Sequence, residues 1–413
     1  MNQNRHRATT QNSQWSPWPW CLGMRLVLLL VLLGTPCLVV GQVPLGLTAR
    51  VDTTQADTKA VYRLLAQYLN SRPDSLYANP HWNAAEVDAH FTQRRERFDF
   101  AASFLFFDQN AKNTFATYKP TVLSIAPVGP KYVARVLLYA EKPPKWITDS
   151  HWNPPFILRY YAARDAAGQW KLENTWSNLL AHWRQHPTPR ITFHYPPAFP
   201  FDPAKAARAS AFCDSLIRVL QLPPAKPFDF YVMSSEEELG QLFNLDYWLA
   251  YNTGFTRKDD NRAFSAHGRE QHLHEFVHML YHPVKNYFLA EGVATYFGGV
   301  DGYTPYAQTL QAVAADLVKN HPSVTFKDLY ANRFKYPLNS YPRYAAGALV
   351  YELVQAKAGI AGFRQLEESE NTYESFVSHF AAVMHLRPDK ADAYLNKAIR
   401  GYRPKNQAKS FVR

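Results

Sequence analysis

The sequence predicts an α+β protein with a strand-rich first part, a mixed middle and a helical end. Apolar alternation marks Thr121–Pro127, Tyr132–Tyr139, Phe156–Ala162 and Gln169–Trp176, with turns at Gly129-Pro130 and Ala166-Ala167-Gly168. Helical periodicity marks Tyr303–Asn320, Ser340–Ala358, Asn371–Met384 and Pro388–Tyr402, with breaks at Pro322 and Pro337. Between these regions, strands at Ile191–Tyr195 and Phe228–Val232 are interleaved with helices. A chain of 413 residues is long enough for two or three cores.

In chain order, residues 1–41 have the pattern of a signal peptide. Arg25 precedes the apolar run from Leu26, and Val39-Val40-Gly41 before Gln42 supplies a cleavage site. The run is about fifteen residues, short of the ~20 that span a bilayer. Met24-Arg25 would itself make a compact signal start, and an uncleaved anchor is the competing arrangement. The protein is therefore expected to be exported, periplasmic or secreted, with no stable membrane span once the signal is removed. Cleavage would leave Cys213 as the one cysteine, which excludes an internal disulfide. Its apolar helical setting suits a buried, inert thiol.

Residues 51–185 form a first domain. A helix over Asp57–Asn70 places Val61, Leu64, Leu65 and Tyr68 on one face, and the strands follow it. His81, His90 and His151 are scattered, and no catalytic constellation appears here. His186-Pro187-Thr188-Pro189 marks the boundary to a second region over 190–300. There Asp202-Pro203 opens a helix reaching Leu222, and Ser234/Ser235 followed by three glutamates opens another. Gly254–Thr256 and Arg262–Ala266 make a hairpin. A helical lobe over 301–402 and a basic tail over 403–413 complete the chain. The net charge of +11 is scattered, with a modest cluster of Lys397, Arg400, Arg403, Lys405, Lys409 and Arg413. No aromatic-plus-basic module is present, so no nucleic-acid partner is expected.

The chemistry concentrates in His274-Glu275-Phe276-Val277-His278, followed after twelve residues by Glu291. Two histidines one turn apart project from the same side of a helix and can grip one Zn²⁺. Glu275 lies beside them, free to take a proton from water. Leu273, Phe276, Val277 and Leu280 fall at i, i+3, i+4 and i+7, giving this helix a separate core face. Tyr281-His282-Pro283 stops it. Leu289–Phe297 is then a second helix, closed by Gly298-Gly299, that returns Glu291 as a third ligand; Gly292 would let it approach the first closely. Three protein ligands leave a position for water, as a hydrolytic site needs and a structural site avoids.

HEFVH followed by Leu289-Ala290-Glu291-Gly292-Val293-Ala294-Thr295-Tyr296 resembles the gluzincin zinc peptidases of the peptidase MA-like clan, which include the thermolysin and aminopeptidase-N groups. The resemblance covers about residues 190–400 and implies a zincin-like domain: a small mixed sheet, an active-site helix and a helical C-terminal lobe. It implies His274, His278 and Glu291 as zinc ligands, Glu275 as general base and acid, and a peptide or protein substrate. It also implies that Ala263–Ala266 bonds substrate backbone, unless the hairpin is purely structural. A Tyr or His of the downstream lobe would stabilise the oxyanion, with Tyr344 first and Tyr341, Arg343 and His385 behind it. His282 would line the cleft, or cap the helix, and Thr295 would bond around the ligand Glu291. The spacer is shorter than in the two named groups and looks more like that of compact bacterial members. An upstream Gly-x-Met-Glu-Asn amine-binding motif is missing, which tilts the expectation towards an endopeptidase. The first domain, ending in Gly168-Gln169-Trp170-Lys171-Leu172, faintly resembles NTF2-like or cystatin-like α+β folds. The alternative from another class is a catalytically silent, zinc-containing binding or sensory protein on the same scaffold.

Overall fold

The computed structural model describes residues 44–71, 79–86, 99–101, 118–140, 155–248, 253–281, 285–334 and 342–404. The signal-like segment, His90, His151, His282, Tyr341 and the tail from residue 405 lie outside them. The fold is α+β, with two sheets followed by a helical region. Among the described residues, no helix is long and apolar enough to cross a membrane.

The first sheet orders β1 (Gly46–Leu47), β2 (Lys119–Val128), β3 (Lys131–Tyr139), β4 (Phe156–Arg164) and β5 (Trp170–Glu173) side by side. Helix α1 (Ala56–Asn70) buries Val61, Leu64, Leu65 and Tyr68 in one core with Val122, Val136, Leu138 and Leu158. The predicted strand Gln169–Trp176 is cut short. It ends at Glu173, and Asn174 precedes helix α2 (Thr175–Leu180), because Trp176 packs against Tyr231 and Phe264 of the second sheet.

The second sheet uses β6 (Arg184–Pro187), β7 (Ile191–Tyr195) and β8 (Phe228–Val232), with helix α3 (Pro203–Val219) crossing between the parallel β7 and β8. Asp202 caps α3 by accepting from the Ala204 and Lys205 amides, and the Cys213 thiol is buried in the core, its pKa raised by burial. Ser235 caps helix α4 (Glu236–Leu242). The short β9 (Leu245–Tyr247) then pairs with β4 of the first sheet, where Asp246 meets Arg135 and Arg159. Strands β10 (Gly254–Arg257) and β11 (Arg262–Ser265) complete the second sheet in the order β10-β11-β8-β7-β6. Phe228, Phe230 and Ala263 enter the main core, while Tyr231 and Phe264 meet α2 and α4 on the other face.

Helices α5 (Leu273–Leu280), α6 (Tyr287–Gly298), α7 (Tyr306–Lys319), α8 (Phe326–Tyr330), α9 (Pro342–Leu366), α10 (Tyr373–Met384) and α11 (Pro388–Arg400) share the main core. The end predicted for α9 at Ala358 is a kink: Gly359 has φ of 64°, and the helix resumes to Leu366. Gly292 does not face α5. It meets Gly347 of α9, where a Cβ would lie 2.4 Å from the Gly347 carbonyl carbon.

A buried polar network links the first sheet to the α4–β9 connection. Asp99 accepts from Tyr68 Oη at 2.5 Å and Tyr160 Oη at 2.7 Å. Asn244 donates to Asn174 Oδ1 at 2.6 Å and to Asp99 at 3.2 Å. Glu86 accepts from the Asn174 amide at 2.9 Å. Satisfied networks of this kind specify one arrangement, because each partner left alone would be a costly buried polar group.

Two outcomes follow. Gly347→Ala forces a Cβ to 2.7 Å from Gly292 Cα, and should lower stability by about 1–3 kcal/mol in urea unfolding. Burial, opposed by the Asn174 hydrogen bonds, pushes the Glu86 carboxyl from 4.5 up to about 7. The folded state therefore binds this proton more tightly than the unfolded chain. The contribution is full below pH 4.5 and is lost as pH rises to about 7, on the order of 3 kcal/mol. Unfolding curves of wild type and Glu86→Gln across that window should converge or cross accordingly; a constant difference would contradict the assignment.

Candidate metal centre

Helix α5 is fixed by its apolar face. Phe276 packs edge-on against Phe230 with ring centroids 4.8 Å apart, and against Phe228 at 5.5 Å. Tyr281 ends the helix in extended backbone, its hydroxyl bonded to Glu367 and its ring under Arg364. Helix α6 is fixed at its start by Asn286. That buried side chain caps the Leu289 amide and donates to Ser369 Oγ and the Glu370 carbonyl, both at 3.1 Å. Its end is pressed on α5, since a Cβ at Gly298 would lie 2.3 Å from the His274 amide nitrogen.

These constraints bring together His274, His278 and Glu291. The two Nε2 atoms are 3.1 Å apart, and Glu291 Oε2 lies 3.2 Å from His274 Nε2 and 3.4 Å from His278 Nε2. His274 Nδ1 is 2.8 Å from the Gly299 carbonyl oxygen. A carbonyl can only accept, so Nδ1 carries a proton; with a metal bound, Nε2 would present its lone pair to the cluster. The group could hold a metal ion. Bonds of about 2.0–2.1 Å in a tetrahedral arrangement separate ligand atoms by about 3.4 Å, which the observed edges match closely.

The site is deeper than a cleft-facing helix surface suggests: His274, Glu275 and Glu291 are only 4%, 7% and 6% exposed. Burial raises the Glu275 pKa, with His278 and His274 pulling it down and Glu291 adding to the rise. Burial likewise opposes charge on Glu291, but hydrogen bonds to His274 and His278 outweigh it and hold the carboxyl well below its ordinary range. His274 is raised despite its burial, by Glu291, Glu275 and the Gly299 carbonyl. Perturbed titration of this kind is typical of functional sites.

Tyr344 stacks near His274, with centroids 5.9 Å apart, and its hydroxyl lies 3.0 Å from that of Tyr287. Arg343 covers the Tyr287 ring at 4.9 Å. Among the described residues, the Thr295 hydroxyl is buried without a hydrogen-bond partner, so it does not support Glu291. His385 is the left-handed residue that ends α10. Strand β11 is paired on both sides, by β10 and β8, so Ala263–Ser265 has no free edge and the hairpin's structural reading applies to it. Among the described residues, the outer side of β10 has no partner strand.

Two neighbours were absent from the sequence-based set. Tyr287 stands one turn before Glu291, a spacing that could have flagged it. His272 stands two residues before His274; burial, joined by His267, His274 and His278, keeps its pKa well below the ordinary value, so the ring is neutral. No protein-family model matches the chain, and no curated protein matches it either.

Metal titration tests the centre directly. One equivalent of a divalent metal ion should bind, and His278→Ala and Glu291→Ala should each weaken binding by more than the about 10–100-fold caused by losing an outer partner. Unchanged affinity in both variants would remove the site.

Proposed function

We propose that the protein is a zinc-dependent metallopeptidase of gluzincin type, acting as an endopeptidase on exported or extracellular peptides or proteins. One observation carries this reading. Two imidazole nitrogens and a carboxylate oxygen converge within 3.4 Å, and a further carboxylate, Glu275, lies on the same helix between the two histidines. A mixed nitrogen and oxygen donor set favours zinc over magnesium or calcium, which prefer all-oxygen shells. Three converging donors among the described residues also differ from the four of a closed structural site.

Zinc, when bound there, supplies Lewis acidity, lowering the pKa of water towards about 7 and polarising a carbonyl. Glu275 takes the proton of the attacking water and passes it to the departing amine. Its burial removes competing solvent from that transfer. Tyr344, whose ring stacks near His274 and whose hydroxyl lies beside that of Tyr287, would donate to the charge that develops on the carbonyl oxygen. An extended substrate pairs with the free edge of β10, whose Gly254 abuts the site through His272.

Zinc-loaded protein should cleave a mixed peptide library, and Glu275→Ala should lose at least about 10²–10⁴-fold in rate while keeping its zinc. Equal cleavage by both would exclude Glu275 as the base. Zinc retention without cleavage by either would favour the silent binding protein. Tyr344→Phe should lower kcat by about 10²-fold with KM little changed. Internal cuts in the products would establish endopeptidase action, and loss of single N-terminal residues would contradict it.

A further inference from the structure

The Glu275 carboxylate accepts no hydrogen bond from the side chains around it among the described residues. The basic nitrogen within 4.0 Å of it is Nε2 of His272, which faces Glu275 Oε1 at that distance. His272 is 3% exposed and is held on several sides. A Cβ at Gly254 of β10 would lie 2.1 Å from its Cε1, and one at Gly302 would lie 2.2 Å from its Cδ2. The His267 ring stands edge-on at 4.7 Å, itself tied to Thr253 Oγ1 at 2.9 Å. An imidazole slotted between two glycines from different segments is restricted by shape, since a side chain at either glycine would occupy its place.

The tautomer follows from the same surroundings. Among the described residues, His272 Nδ1 is buried with no hydrogen-bond partner. A proton there would be an orphaned buried donor, whereas an unshared lone pair costs less. The proton therefore belongs on Nε2, where it points at the carboxylate of Glu275.

We propose that His272 is a positioning residue for Glu275: its Nε2–H orients the carboxylate, and its slot between Gly254 and Gly302 ties the carboxylate to the edge strand β10. This rests on Glu275 being the base. At 4.0 Å the pair is not a hydrogen bond, and such contacts in ligand-free sites commonly tighten when substrate binds. Substrate pairing on β10 would press on Gly254, and through the ring on Glu275, so strand addition and proton transfer share one mechanical link.

Amide side chains separate orientation from packing, because Gln places its amide nitrogen near the imidazole Nε2 position and Asn near Nδ1. His272→Phe and His272→Asn should each lower kcat by about 10–100-fold with KM changed less than about threefold and one zinc retained. His272→Gln should restore kcat to within about threefold of wild type. Asn, smaller than the ring, guards against a Phe variant that fails to fold. Crystal structures of the zinc-loaded proteins give a second readout. Glu275 should hold one position in wild type and His272→Gln, and be displaced or split in His272→Asn. An undisplaced Glu275 in His272→Asn, or a kcat equal to wild type, overturns the proposal. If wild type itself cleaves nothing, the peptidase reading fails, and the position of Glu275 alone decides the role of His272.

Discussion

Three electron-rich atoms held within 3.4 Å of one another in the protein interior form the constraint on which this structure depends. Two imidazole nitrogens and a carboxylate oxygen brought together away from water demand protons or a cation shared between them. The titration of the cluster reflects the same demand, since His274 is held above its ordinary pKa although burial acts against it. A proton can meet that demand for one nitrogen at a time, whereas a metal ion meets it for all three atoms together. The geometry is thus more specific than the charge.

Much of the second half of the chain serves to hold the two helices in that relation. Helix α5 is pinned by Phe276 between Phe228 and Phe230, and α6 by Asn286 at one end and the Gly298 contact at the other. The Gly292–Gly347 contact lets α9 press on α6, and α9 brings Tyr344 to the His274 ring. The sheet, the ligand helices and the helical lobe are therefore one mechanical assembly. Loss of volume or added bulk at any of these joints would move an atom of the candidate metal cluster, not only a core side chain.

What could be seen in the sequence was whatever depends on local pattern. The 3.6-residue periodicity of Leu273, Phe276, Val277 and Leu280 located α5, and the Asp202-Pro203 and Ser235 caps located α3 and α4 to within a few residues. His274, His278 and Glu291 were legible because helical spacing is itself geometry. Properties set by partners distant in the chain were not. Whether β10 or β11 is the edge depends on β8 pairing with β11, and no local pattern encodes that choice. The face to which Gly292 points depends on α9 arriving with its own glycine, and the strand expected over Gln169–Trp176 yields to a helix because Trp176 is wanted by the second sheet. Thr295 had the spacing for a ligand support, but its hydroxyl finds no acceptor among the described residues.

The same distinction explains why Tyr287 and His272 escaped notice. Each is an ordinary residue in an ordinary place until the fold supplies its neighbours: Tyr344 and Arg343 for one, Gly254, Gly302 and Glu275 for the other. The motif residues define which atoms can react. The residues around them define the directions in which those atoms point, and a carboxylate proposed as a base would serve poorly if it pointed wrongly by about an ångström. In the proposed mechanism the orienting group for Glu275 is wedged against the edge strand β10, so the surface on which an extended chain would pair and the group that would move its proton are separated by a single imidazole ring.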